Sequence, residues 1–105
     1  MAWLFIIIAG LFEIVWAVSL KYVDGFSKPK PLIITIVGMI ISFGFLSLAL
    51  KALPIGTAYA IWTGIGAVGV ALYGIFFLSE SANYKRLVCL SFIIIGILGL
   101  KFFTP

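Results

Sequence analysis

The chain has 105 residues, 65% of them hydrophobic and only 10% charged, with a formal charge of +4 and a mean hydropathy of +1.36. That composition belongs to a membrane protein throughout and leaves no stretch for a water-exposed catalytic domain, so no enzyme is expected. Cys89 is the single cysteine and histidine is absent, so no metal, cofactor or internal disulfide is expected; the basic residues flank apolar runs, where they meet lipid head groups rather than nucleic acid.

The first apolar run covers residues 2–20 and carries one carboxylate, Glu13. As a helix rising ~1.5 Å per residue it spans a bilayer core, with Glu13 just past its midpoint. An ionisable group at that depth costs a few kcal/mol on insertion scales and usually faces a bundle interior, a wet cavity or an ion pathway. Glu13 is therefore the leading candidate for function. Ala9, Gly10, Trp16 and Ala17 lie three or four residues away on its helical face, which places a recess around the carboxyl group with one indole N–H beside it. The bland alternative, a neutral carboxyl that links helices by a hydrogen bond, needs closer contact than these small neighbours offer. The run lacks a basic leader and a cleavage signal, and it is expected to be retained.

Residues 21–31 read as a loop that turns at Asp24-Gly25, with Lys21, Lys28 and Lys30 as interfacial anchors. The second run, 32–50, is free of charge and sets Gly38, Ser42, Phe45 and Ala49 on one helical face. Ser42 either bonds to its own backbone or faces the recess. The connection Lys51-Ala52-Leu53-Pro54 is short enough to make the second and third runs antiparallel neighbours, with Pro54 suited to a first helical turn.

The third run, 55–78, places Tyr59, Trp62, Thr63, Gly66, Gly69 and Tyr73 on one continuous stripe. Aromatic stripes often serve packing or the lipid belt. Tyr59 and Trp62, however, lie inside the run, where their O–H and N–H need partners away from water; they are candidate site-lining residues, with Thr63 in support. Gly64, Gly66 and Gly69 serve either close helix contact or a bend, and the sequence leaves both open. In the loop 79–86, Glu80, Lys85 and Arg86 are expected to be solvated. The last run, 87–103, is the most uniformly apolar; Gly96 and Gly99 suit it to packing against another protomer, Lys101 to snorkelling, and Cys89 to a buried structural role.

The expected fold is a single all-α domain over residues 1–105 with four transmembrane helices near 2–20, 32–50, 55–78 and 87–103. Transport by alternating access needs two halves of opposite orientation, and four helices without internal similarity do not supply them. A second copy inserted upside down would, giving an antiparallel, dual-topology homodimer with two Glu13 residues at one cavity flanked by Tyr59 and Trp62. Lys21, Lys28, Lys30, Lys85 and Arg86 fall on one side against Lys51 and Lys101 on the other, a bias that by itself favours a single orientation. A carboxylate in a recess binds a proton or a cation at the same oxygens, and that competition suffices for exchange.

Several passages resemble the small multidrug resistance family over the whole chain, and within it the guanidinium exporters. They are Ala9-Gly10-Leu11-Phe12-Glu13-Ile14-Val15-Trp16-Ala17-Val18, Lys21-Tyr22, Gly25-Phe26-Ser27, residues 53–66 and Glu80-Ser81-Ala82-Asn83. The most specific part is Pro54-x-Gly56-x-Ala58-Tyr59-Ala60-x-Trp62 together with the intramembrane Glu13. The resemblance implies a proton-coupled antiporter in the bacterial inner (plasma) membrane, working as an antiparallel dual-topology homodimer. Glu13 would bind proton and substrate in turn, Tyr59 and Trp62 would line the site, and Trp16, Ser42 and Gly10 would support the glutamate. Lys101 belongs to the same subtype pattern. Trp16 narrows the recess toward a small planar cation such as guanidinium, whose paired N–H donors match a carboxylate. The alternatives are an exporter of quaternary ammonium or polyaromatic cations, which would rest on cation–π contact with Trp62 and Tyr59, and a membrane assembly subunit that transports nothing.

Overall fold

The computed structural model describes residues 1–104. They form four helices, α1 (Ala2–Lys21), α2 (Pro29–Ala49), α3 (Ile55–Phe77) and α4 (Tyr84–Phe103). Each is long and apolar enough to cross a membrane. Two helices begin earlier than their apolar runs suggest. Pro29 and Pro31 lie in the first turn of α2, where backbone N–H groups have no helical partner and proline removes nothing. The α4 helix starts at Tyr84 because Asn83 caps it, its Oδ1 accepting from the Arg86 N–H at 2.9 Å. The remaining first loop is tight. Gly25 takes a left-handed φ of +57°, and Ser27 donates to the Asp24 carbonyl from its N–H at 3.2 Å and from its Oγ at 2.6 Å.

The helices are arranged in the order α2, α1, α3, α4, with α1 packed between α2 and α3 and α4 resting on α3. Helices α2 and α3 meet mainly through the Trp62 side chain, and over most of their length α1 lies between them, contrary to what their short connection suggests. Small residues decide this. Gly38, Ser42 and Ala49 are buried on α2, and Gly66 and Gly69 of α3 lie against Glu13 and Ile14, so each helix approaches α1 most closely where no side chain intervenes. Gly64 likewise receives Ile97 of α4. These glycines of α3 are points of close helix contact within one continuous helix.

The core consists of Ile6, Ala9, Ala49, Leu53, Ala58, Ile61 and Trp62, gathered where the start of α1 meets the end of α2 and the start of α3. Glu13 lies beyond it along α1. Among the described residues α4 contributes nothing to the buried core, nothing packs against Gly96 or Gly99, and Cys89 is exposed instead of buried as its apolar run suggests. The whole is a slab of 47 × 35 × 16 Å. Its thin dimension is little more than one helix with side chains, about 10–12 Å.

Candidate functional site

Glu13 projects from α1 toward α3. Its carboxylate lies so close to Gly66 that a Cβ there would stand only 2.6 Å from Oε2 and 2.8 Å from Oε1. Oε2 is buried and accepts no hydrogen bond among the described residues. The carboxylate faces a cleft of about 500 Å³ between α1 and α3, walled near Glu13 by Ala17, Thr63, Gly66 and Ala67. Thr63 Oγ1 spends its own donor on the Tyr59 carbonyl of its helix at 2.8 Å.

The recess is displaced from where the sequence puts it. Gly10 and Ala9 are closely packed: a Cβ on Gly10 would meet Ile65 at 2.8 Å, and Ala9 is fully buried. Open space lies instead on the Ala17 side, one turn further along. Trp16 does not donate to Glu13 either; its Nε1 is buried without a partner among the described residues, and its Cβ would stand 3.0 Å from a Cβ on Gly38. Helix geometry explains the separation. Three residues turn a helix by about 300°, leaving Glu13 and Trp16 about 60° apart, enough to send one toward α3 and the other toward α2 when α1 lies between them.

Ser42 bonds neither to its own backbone nor to Glu13. Its Oγ donates to the Ala9 carbonyl at 2.7 Å and accepts from Trp62 Nε1 at 2.9 Å, so one hydroxyl joins α1, α2 and α3. In a helix the carbonyl of Ala9 is also the acceptor for the N–H of Glu13, four residues on. Ser42 and Trp62 thereby fasten the turn that carries the glutamate.

Around Trp62 the aromatic rings form a series. Tyr59 and Trp62 meet edge to face at 5.5 Å, Trp62 and Phe43 at 5.4 Å, and Phe43 and Trp16 stand 6.3 Å apart. Tyr59 is 57% exposed. Within one chain this series does not border the cleft that Glu13 faces. Phe43, the ring that links Trp62 to Trp16, carries no signal in the sequence: it follows Ser42 directly, off the Gly38-Ser42-Ala49 face, so no spacing marks it. Lys101 is not simply extended toward head groups, since its Nζ lies over the Trp3 ring at 5.0 Å, a cation–π contact between the end of α4 and the start of α1.

The far end of the cleft includes Glu80 and Arg86, which the sequence reads as solvated loop. Lys21, Tyr73, Glu80 and Arg86 line it. Tyr22 and Tyr73 share a hydrogen bond between hydroxyls at 3.1 Å, and Arg86 Nη2 donates to Glu80 Oε1 at 2.6 Å. Lys21 and Tyr73 come to the cleft from α1 and α3, and Glu80 and Arg86 through the folding of the loop and the first turn of α4.

Comparison with known proteins covers nearly the whole chain. The family model described as Small Multidrug Resistance protein matches residues 1–93. A guanidinium exporter of Escherichia coli (strain K12) is 57% identical over 104 residues, 99% of each chain. One from Proteus vulgaris is 60% identical over 101 residues, 96% of this chain and 97% of that one, and one from Citrobacter freundii is 56% identical over 104 residues, 99% of each. The relatives are thus named as transporters.

Proposed function

The chain belongs to the small multidrug resistance family and is a multi-pass protein of the bacterial inner membrane; from that premise we propose that it exports guanidinium in exchange for protons, with Glu13 as the shared binding group. The observation that carries this reading is the Glu13 carboxylate, facing a small-walled cleft with one oxygen that no protein donor satisfies. A guanidinium ion is planar and offers paired N–H donors to a carboxylate, as an arginine side chain does. A proton on the same oxygen removes the acceptor charge, so the two ligands bind in turn. If only the loaded protein reorients, a proton gradient drives the cation outward.

The thin slab supports an antiparallel homodimer. One chain only 16 Å thick walls a cleft without enclosing it, and α4 leaves Gly96 and Gly99 free for close packing against a second copy. An inverted copy would supply the opposed half that alternating access requires and a second Glu13. In that assembly the exposed Tyr59, outside the lining of its own chain's cleft, would face the cavity of the dimer, with Trp62 backing it from the core. Ser42 would act by holding the Ala9 turn, Gly10 by close contact with α3, and Trp16 by filling the space between Glu13's turn and α2.

The test is proton-coupled guanidinium uptake into proteoliposomes, with Glu13→Gln as control. Uptake that follows the pH gradient and disappears in Glu13→Gln is expected. Currents evoked by quaternary ammonium ions and not by guanidinium would replace the substrate, with the exposed Tyr59 ring and its neighbours as the binding surface. Undiminished function in Glu13→Gln would reduce the carboxyl group to a helix link.

A further inference from the structure

The loop between α3 and α4 ends in an arrangement that the transport reading above does not use. Ser79 adopts a left-handed φ of +57° and turns the chain back, so that the N–H groups of both Leu78 and Glu80 donate to the Gly74 carbonyl at 3.1 Å. The Glu80 side chain is thereby laid against α3 at Gly74, where a Cβ would stand only 2.7 Å from its Oε2. Its carboxylate is part of the cleft wall, and the same cleft contains Glu13.

A guanidinium group already occupies this place. Arg86 donates from Nη2 to Glu80 Oε1 at 2.6 Å and from Nη1 to the Ser81 carbonyl at 2.8 Å. Two N–H groups of one planar fork thus find two acceptors set at the spacing a guanidinium requires. The hold is weak. Glu80 and Arg86 are 45% and 32% exposed, and such ion pairs contribute little. Arg86 also lies in the first turn of α4, where the helix dipole disfavours a cation.

Accepting guanidinium as the transported ion, we infer that Glu80 and the Ser81 carbonyl form an outer guanidinium seat at the mouth of the Glu13 cleft, filled at rest by the Arg86 side chain. A free guanidinium ion displaces Arg86 from the same acceptors. It then stands in the cleft, its charge matched by Glu80, whereas an unaccompanied cation there meets Lys21 and Arg86. The seat selects for N–H donors before the ion reaches the membrane interior.

The experiment is a titration of the full-length protein in bicelles with guanidinium chloride, followed by NMR at the Glu80 side-chain carboxyl carbon and Arg86 Nε. Glu13→Gln is the background, so that the inner carboxylate is silent. Saturable shifts at both groups are expected. Adding Arg86→Ala should tighten binding by about 1.5- to fivefold, the span of a weak exposed ion pair. Adding Glu80→Gln should abolish the response, and tetramethylammonium, which lacks N–H donors, should give none. Linear shifts, equal shifts with tetramethylammonium, or an affinity unchanged by Arg86→Ala would overturn the seat. Glu80→Gln with Glu13 intact must still shift at Glu13, which separates a lost seat from a misfolded protein. Guanidinium uptake by the unaltered protein without a Glu80 response refutes only the seat; a Glu80 response without uptake refutes only the exporter.

Discussion

The carboxylate of Glu13 lies in the space where a side chain on Gly66 would begin. The acid on α1 and the missing side chain on α3 are one feature: α3 approaches closely, and the carboxylate still reaches the cleft.

Gly66→Ala should therefore impair transport more than its single methyl suggests. The new Cβ stands within 2.8 Å of both carboxylate oxygens, so either Glu13 turns or α3 retreats. Overpacking of this kind costs about 1–3 kcal/mol. Guanidinium uptake reduced at least about tenfold is expected in proteoliposomes, about 1.4 kcal/mol at the binding step. Unaltered uptake would remove Gly66 from the site.

Ser42→Ala leaves the Trp62 N–H without an acceptor and the Ala9 carbonyl without its second donor. A buried group deprived of its partner costs about 1–3 kcal/mol. Thermal unfolding in detergent should show that loss, together with weaker guanidinium binding because the turn beneath Glu13 is released. A stability loss with unchanged binding would limit Ser42 to structure.

Guanidinium affinity should fall as pH is lowered, because protons take the oxygens that the cation needs. The check is binding at a series of pH values in unaltered protein and in Glu13→Asp, which keeps the charge but withdraws it by one methylene. The unaltered protein should lose affinity toward acid pH. Glu13→Asp should follow the same trend with slower exchange. Affinity independent of pH would mean that the two ligands do not share a site.

Trp16→Ala should weaken binding of the small planar cation and relax selection against larger ones. The indole stands 6.3 Å from the Phe43 ring of α2, so its removal opens space between α1 and α2. Competition by alkylated guanidines against guanidinium uptake measures the change. Unchanged selectivity would show that the indole does not set the width of the site.

The four helices were legible because each is a long apolar run, and Glu13 stood out because a carboxylate in such a run is costly. Helix starts were less legible. Pro29-Lys30-Pro31 and Asn83 resemble loop in composition, yet the prolines sit where no N–H is needed and the asparagine supplies a cap. Partners across helices were not legible at all. Periodicity groups Gly10, Glu13 and Trp16 on one broad face, whereas the small offset between Glu13 and Trp16 decides which meets α3 and which meets α2. The return of Glu80 onto Gly74 depends on one left-handed residue, Ser79, a type of residue that gives no such signal in sequence.

The slab's 16 Å thickness bears on how motion is divided within such an assembly. A plank this shallow has little interior to rearrange, and its helices are already seated on one another at glycine contacts where an added Cβ would crowd a neighbouring side chain. In the proposed antiparallel dimer each chain would then tilt as a board, and the joint that slips would be the seam between boards. Substitutions that stiffen one chain should leave the turnover rate nearly untouched, while those along the seam should govern it.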